Sequence, residues 1–346
     1  MRIGLTLSYA GGFREAADEV VELEQVGLDV VAVSEVYGFD AVSQLGYLAA
    51  RTSRITLMSG VMQLFTRTPT LTAMTAAGLD SVSEGRFELG LGASGPQVIE
   101  GFHGVPYDAP VARTREIVDI CRAVWRREPL VHAGTKYQIP LAEGLGTGLG
   151  KPLKLINQPV REQIPIVLAA LGPKAVEQAA EIADGWMPVF FHPERAADVW
   201  GGQLAAGAAL RDPSLGTLDI IASPALAITD EPERVYPRVK PHLALYIGGM
   251  GARGRNFYND LVCGYGFERE AANIQELYLA GKKDEAAAAV PDRLVRDVSL
   301  IGPAGFVAER VAAFAAAGVT TLMVSPLAPD RAAKVALISG FRQLIG

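Results

Sequence analysis

The chain has 346 residues, 49% of them hydrophobic, and a formal net charge of -6. That length and apolar content support one large core, which a closed α/β barrel absorbs as a single domain over 1–346. The acidic balance gives no basic field for wrapping nucleic acid, and no apolar run reaches membrane-spanning length. Cys121 and Cys263 stand far apart with no metal-type spacing, as expected in a reducing compartment, so a soluble cytoplasmic protein is predicted.

Short β-rich runs alternate with amphipathic helical patterns along the whole chain. Ile3 to Leu7 reads as strand one, and Arg14 to Val26 as a helix stopped by Gly27. Val30 to Val33 is strand two, with a helix near Ala41 to Arg51. Ile55 to Val61 is strand three, followed by a helix from Thr70 to Ser83. Phe87 to Leu91 is strand four, with a helix from about Val111 to Trp125. Ile166 to Ala169 is strand five, and Pro173 opens a helix reaching Ala183. Gly185 to Phe190 is strand six, then a helix near Pro193 to Leu210. Asp219 to Ile228 is strand seven, Thr321 to Val324 strand eight, and Arg331 to Leu344 the closing helix.

Eight such units in strict alternation predict a (β/α)8 TIM barrel, with its site at the carboxyl ends of the strands. Two connections are long, Arg127 to Glu162 and Glu231 to Pro303, and these are read as insertions after strands four and seven.

The stretch from Phe87 to Pro96 passes from a buried strand into a turn at Gly90, Gly92 and Gly95, where backbone can approach an anion closely. Its GxGxxG spacing would suit a dinucleotide fold only if a helix opened at once and an acidic residue ended a second strand. Pro96, Gly101, Gly104, Pro106 and Pro110 predict irregular chain instead.

The other strand ends carry Ser34 and Glu35, Gly60, Val61 and Met62, Gly92, Ala93 and Ser94, and the run Ala169, Ala170, Leu171, Gly172, Pro173, Lys174. The last combines free amides, a helix N-terminus and a lysine, which suits a phosphate; a plain helix cap is the alternative. His103, His132, His192 and His242 show no metal-ligand spacing, so no metal site is predicted. Ser94 lacks the context of a nucleophile. Apolar walls, Gly-rich backbone and one anion site suit a flat, phosphate-bearing cofactor that brings its own chemistry.

Several motifs resemble a known family. Phe87 to Ser94, Ala169 to Lys174 with Ala183 to Trp186, Arg67 to Pro69, Asn256 to Tyr258 and Gly264 to Gly266 are similar to the bacterial luciferase-like superfamily. Within it they come nearest the branch that uses the deazaflavin coenzyme F420, with methylenetetrahydromethanopterin reductase among its members.

The resemblance implies a barrel with insertions, usually dimeric, carrying the deazaflavin in the cleft at the strand ends. A bulge with a non-proline cis peptide, at Gly60 and Val61 by position, would back the ring. Gly92, Ala93 and Ser94 would meet the ring edge or tail, and Gly172, Pro173 and Lys174 would hold the phosphate. Val36 and Gly95 stand where sugar-phosphate dehydrogenases of the family carry a histidine and a glutamate, which disfavours that substrate class.

Glu35 retains an acid where family reductases carry an aspartate. It is the candidate catalytic group, a structural carboxylate being the alternative. Arg67, Lys174, Arg253 and Arg255 are available for an acidic tail. The expected activity is hydride transfer between the deazaflavin, which reacts poorly with oxygen, and a small organic molecule. An FMN-dependent monooxygenase and a deazaflavin carrier without turnover are the alternatives.

Overall fold

Eight short runs form one parallel sheet in the computed structural model, which describes residues 1–8, 12–251 and 253–346. They are β1 (Arg2–Thr6), β2 (Val30–Val33), β3 (Thr56–Ser59), β4 (Phe87–Gly92), β5 (Ile166–Ala169), β6 (Gly185–Met187), β7 (Asp219–Ala222) and β8 (Val319–Met323). Each strand pairs with the next, and β1 pairs with β8 through Arg2 beside Thr321 and Gly4 beside Met323. The sheet therefore closes into the expected (β/α)8 barrel.

The alternation of side chains along each strand divides the core in two. Val30, Ala32, Met58, Val167, Ile221 and Met323 cluster inside the barrel. Val31, Val33, Leu57, Leu89, Leu91 and Leu168 face the surrounding helices. Those helices are α1 (Phe13–Gln25), α2 (Ala41–Arg51), α3 (Pro69–Val82), α4 (Pro110–Trp125), α5 (Pro173–Ile182), α6 (Ala196–Leu210), α7 (Ala304–Ala316) and α8 (Arg331–Ile345).

At the amino ends of the strands, Arg2 donates to Glu88 at 2.7 Å, to Asp219 at 2.5 Å and to Thr321 at 3.1 Å. One guanidinium thus ties β1 to β4, β7 and β8 beside a cleft of about 310 Å³. A groove of about 490 Å³ runs between α6 and α7. Neither lies at the mouth formed by the carboxyl ends of the strands, where barrel chemistry is found.

Most boundaries shift by one to three residues, and three differences change the local structure. Strand seven stops at Ala222, because Ser223 and Pro224 break the ladder. Its predicted remainder, Ala225–Ile228, pairs instead with Leu300–Gly302 and Ser325–Pro326 in a separate parallel patch. Strand six ends at Met187, before Pro188. After Gly95 a single helical turn forms at Pro96–Ile99 where irregular chain was predicted, and it ends before the glycine and proline positions that follow.

The first insertion carries a hairpin of His132–Ala133 and Gln138–Ile139. The second is helical, with Tyr236–Ala244, Phe257–Gly264, Glu268–Leu279, Lys283–Ala288 and Asp292–Asp297, and a π turn at Leu245–Gly249.

Candidate active site

Strand three breaks at a cis peptide between Gly60 and Val61 and resumes as Met62–Gln63 beside Leu91 and Gly92. The bulge is pinned from both sides. Gly60 N–H donates to Val33 O at 2.8 Å, and the Ser34 hydroxyl donates to Gly60 O at 2.5 Å. Ser59 exchanges two hydrogen bonds with Gly90, accepting its N–H at 2.8 Å and donating to its carbonyl at 2.9 Å.

Glycine is required here by contact, since a Cβ on Gly90 would fall 1.8 Å from Ser59 O and one on Gly92 2.7 Å from Val61 Cγ2. Gly92, the Val61 side chain and Ala169 therefore form one low patch at the barrel mouth. Met62 turns the other way, its side chain entering the core between barrel and helices rather than the mouth.

Gln63 shares the face of its register partner Gly92 and is 3% exposed. Its Nε2 donates to Val36 O at 2.9 Å, while its Oε1 is buried and has no partner. A buried amide oxygen left unpaired costs free energy until a donor reaches it. That suits the N–H edge of a heteroaromatic ring.

At the end of β5, Gly172 begins α5 with no side-chain cap, and Lys174 N–H has no intrahelical acceptor. The indoles of Trp186 and Trp200 donate to Ala170 O at 2.9 Å and Leu171 O at 3.4 Å, fixing the loop from below. Lys174 is exposed, as are Arg253 and Arg255. Phe257, from the same insertion as these arginines, approaches Gly172 so closely that a Cβ there would lie 3.3 Å from its ring. An amide-lined helix start with an exposed lysine in its first turn suits a phosphate, and Arg253 and Arg255 precede Phe257 in the insertion that reaches it.

The second insertion adds an aromatic wall. Tyr246 and Tyr258 meet at 4.8 Å, and Phe190 lies 5.5 Å from Tyr246 and 6.4 Å from Tyr258. His242 sits 4.8 Å from Tyr246. Phe190 has φ +49°, a conformation unusual for a bulky residue, and Tyr265 holds its carbonyl with a 2.9 Å hydrogen bond. Burial, with Tyr246 and Tyr107 adding to it, pushes the Tyr258 hydroxyl up to about 12, so it stays protonated at neutral pH. Burial alone lowers the His242 pKa, which favours a neutral imidazole.

The facing wall is Phe65 against Tyr107 at 5.0 Å, with the Arg113 guanidinium 5.5 Å above Phe65 and 5.4 Å from Tyr137. Glu116 anchors the hairpin that carries Tyr137, accepting the N–H groups of Thr135, Lys136 and Tyr137.

Two expected groups pair with each other. Glu35, expected as the candidate catalytic group with a structural carboxylate as the alternative, meets Arg67, expected for an acidic tail, through both oxygens at 3.0 and 2.9 Å. His103 approaches Val36 O at 3.4 Å and stacks edge-on against Phe102. Ser94 is exposed with φ +58°, and its carbonyl accepts from the Tyr107 hydroxyl at 3.3 Å.

Gln63, Phe190, His242, Tyr246, Tyr258 and Tyr107 were missed by sequence reasoning. Only Tyr258 had lain in a quoted motif. Among the described residues no group of three or more His, Cys, Asp or Glu side chains could hold a metal ion.

Residues 1–321 match the profile of the family described as luciferase-like monooxygenase. The chain belongs to that family. Among luciferase-like proteins it is 43% identical, over 94% of its length and 95% of the other's, to a Mycobacterium tuberculosis protein provisionally named a coenzyme F420-dependent oxidoreductase. Its fold matches that of a coenzyme F420-dependent tetrahydromethanopterin reductase from Methanopyrus kandleri, with TM-score 0.81, 21% identity and coverage of 98% and 97%. It also matches an FMN-bound Baeyer-Villiger monooxygenase component of Pseudomonas putida, with TM-score 0.67, 20% identity and coverage of 100% and 98%.

The luciferase-like motifs have visible reasons in the structure. Asn256 caps the helix Phe257–Gly264 and donates to Tyr246 O and Ile247 O at 3.0 Å each, fixing the aromatic wall. Asp184 accepts Ile166 N–H at 2.9 Å, and Thr68 caps α3 ahead of Pro69.

Proposed function

We propose that this protein is a coenzyme F420-dependent oxidoreductase acting between the deazaflavin and a small organic molecule. The observation that carries the reading is the pairing of two features across one mouth. A low patch of Gly92, Val61 and Ala169 lies beside the unpartnered Gln63 oxygen, and an uncapped helix start with Lys174 lies next to it.

In this reading Gly60, Val61 and Met62 back the ring through the bulge, and Ser34 fixes the bulge's carbonyl. Gly92, Ala93 and Ser94 border the ring edge. Ala170, Leu171, Gly172, Pro173 and Lys174 take the phosphate, with Arg253 and Arg255 serving the tail. When bound, the deazaflavin supplies hydride transfer. The protein's share is to orient the ring, exclude water with the aromatic walls and present hydrogen-bond donors to the second substrate. Glu35 acts by holding Arg67 and the strand-two loop in place, which narrows its catalytic role to a positioning one.

Reduced FMN with oxygen is the second reading, supported by the fold shared with the FMN-bound monooxygenase. A deazaflavin carrier without turnover is the third. We further infer a cytoplasmic homodimer that uses neither nucleic acid nor membrane as a partner. Among the described residues no helix is long and apolar enough to cross a membrane.

Titration with the deazaflavin and with FMN tests the proposal. Trp186 and Trp200 lie directly beneath the phosphate loop, so tryptophan fluorescence should report occupancy. Tight FMN binding with oxygen consumption would move the assignment to the second reading. Deazaflavin binding with no change in its visible absorbance under any acceptor or reductant would move it to the third.

A further inference from the structure

A buried histidine that the redox reading does not use sits at the joint between the barrel and its second insertion. His192 lies five residues past the end of β6 and is 5% exposed. Its carbonyl starts α6, accepting Arg195 N–H at 3.0 Å and Ala196 N–H at 2.8 Å. Its ring packs 5.1 Å from that of Tyr265, whose hydroxyl donates to Phe190 O at 2.9 Å. One tyrosine of the insertion therefore holds this loop at two places, two residues apart.

Two carboxylates face the imidazole, and both already have cationic partners. Glu194, from the same loop, stands 3.1 Å from Nδ1, and Asp297, ending the insertion's last helix, stands 3.5 Å from Nε2. Arg310 of α7 donates to both oxygens of Glu194 and to Asp297 O at 2.5 Å, and Arg293 reaches the Asp297 carboxylate at 3.5 Å. Arg195 pairs with Asp198 at 3.4 Å, and burial raises the Tyr265 pKa, so that hydroxyl keeps its proton.

With a neutral imidazole the two carboxylates are matched by Arg310 and Arg293. A proton on His192 adds an unmatched positive charge at a buried point, which is costly. Among the described residues Nδ1 has no hydrogen bond, its approach to Glu194 being out of line. Packing against Tyr265 holds the ring.

We propose that His192 is a proton-operated latch, whose protonation drives its ring from beside Tyr265 and loosens the second insertion from the barrel. Burial lowers the His192 pKa, although Asp297 and Glu194 pull the other way. A group whose pKa is lowered in the closed form binds its proton more tightly when exposed, so acid favours opening. The closed joint has its full stability above the ordinary histidine value of 6.5 and loses it as the pH falls from there toward the lowered value. Tyr265 then releases Phe190 O, so the loosening reaches the aromatic wall.

Hydrogen exchange of the full chain, followed by mass spectrometry and corrected for intrinsic pH dependence, tests this at about pH 7.5 and about pH 5.5. Acid should speed exchange about threefold to tenfold in peptides 257–267 and 292–298 and leave the barrel strands unchanged. His192→Phe keeps a ring against Tyr265 but takes no proton, so it should abolish the step. His242, buried 5.9 Å from Phe190 with its own pKa lowered by burial, is the competing group, and His242→Phe should keep the step.

Equal protection at both pH values, a step that survives His192→Phe or vanishes in His242→Phe, or loosening spread evenly over the barrel would overturn the proposal. NMR of the wild type decides it if His192→Phe does not fold. The histidine resonance in contact with the Tyr265 ring should titrate below 6.5 with the midpoint of the exchange step, and a different midpoint would refute the latch.

Discussion

Replacing Glu116 with Gln should loosen one wall of the mouth from outside it. The carboxylate accepts N–H groups of Thr135 at 2.9 Å, Lys136 at 3.0 Å and Tyr137 at 2.8 Å, and the Thr135 hydroxyl at 2.9 Å, and it faces His132 Nε2 at 3.2 Å. Gly134 leaves it room, since a Cβ there would stand 2.0 Å from Oε2. Desolvation opposes ionisation, but the donors from Tyr137, Thr135, His132 and Lys136 outweigh it and hold the pKa at about 2, against an ordinary 4.5.

That difference corresponds to about 3 kcal/mol at neutral pH. Because the folded-state value is the lower one, the contribution is complete above pH 4.5 and fades as the pH falls toward 2. An unfolding entropy of about 2 cal/mol/K per residue gives roughly 0.7 kcal/mol/K for this length, so the melting temperature should fall by about 4 °C at pH 7. At pH 3 roughly half of the gap should remain. Calorimetry of both proteins at the two pH values reads this directly. Equal melting temperatures at pH 7, or a gap of the same size at pH 3, would refute the reasoning.

Three further perturbations test the site. Arg67→Ala should cost about 2 to 3 kcal/mol by stranding Glu35, whose side chain is only 14% exposed, and adding Glu35→Gln should recover at least about 1 kcal/mol; strictly additive melting shifts would show the two residues to be independent. Gly92→Val should push on Val61 at 2.7 Å, destabilise the protein by about 1 to 3 kcal/mol and sharply reduce deazaflavin retention on gel filtration, whereas wild-type retention would exclude the glycine patch as a ring support. Lys174→Ala should weaken deazaflavin binding severalfold at low salt, with the difference closing at high salt; a salt-independent loss would point away from a phosphate contact.

The barrel was legible because each strand is a short, largely apolar run bounded by turn residues and each helix a separate amphipathic pattern. Ser223 and Pro224 show the limit, since a Pro inside an apolar run gave no sign of which sheet its far side would join. At the site, glycines announced the mouth because close approach needs them locally. Glu35 and Arg67, 32 positions apart, gave no local signal of their pairing, so each looked free. The aromatic wall was harder still. Phe190, His242, Tyr246 and Tyr258 are spread over two connections and meet only because Asn256 and Tyr265 fold the insertion back, and no sequence period encodes that.

The Arg2 staple has a consequence for how the molecule comes into being. Its hydroxyl partner Thr321 lies 319 positions downstream, and β1 can acquire its second neighbour only from that same late strand. A ribosome must therefore release nearly the whole polypeptide before the ring can shut, and until then β1 presents a bare edge to solvent. Chains truncated before Val319 should accumulate as open, self-associating sheets, and the last strand thus doubles as the clasp that makes the nascent product safe.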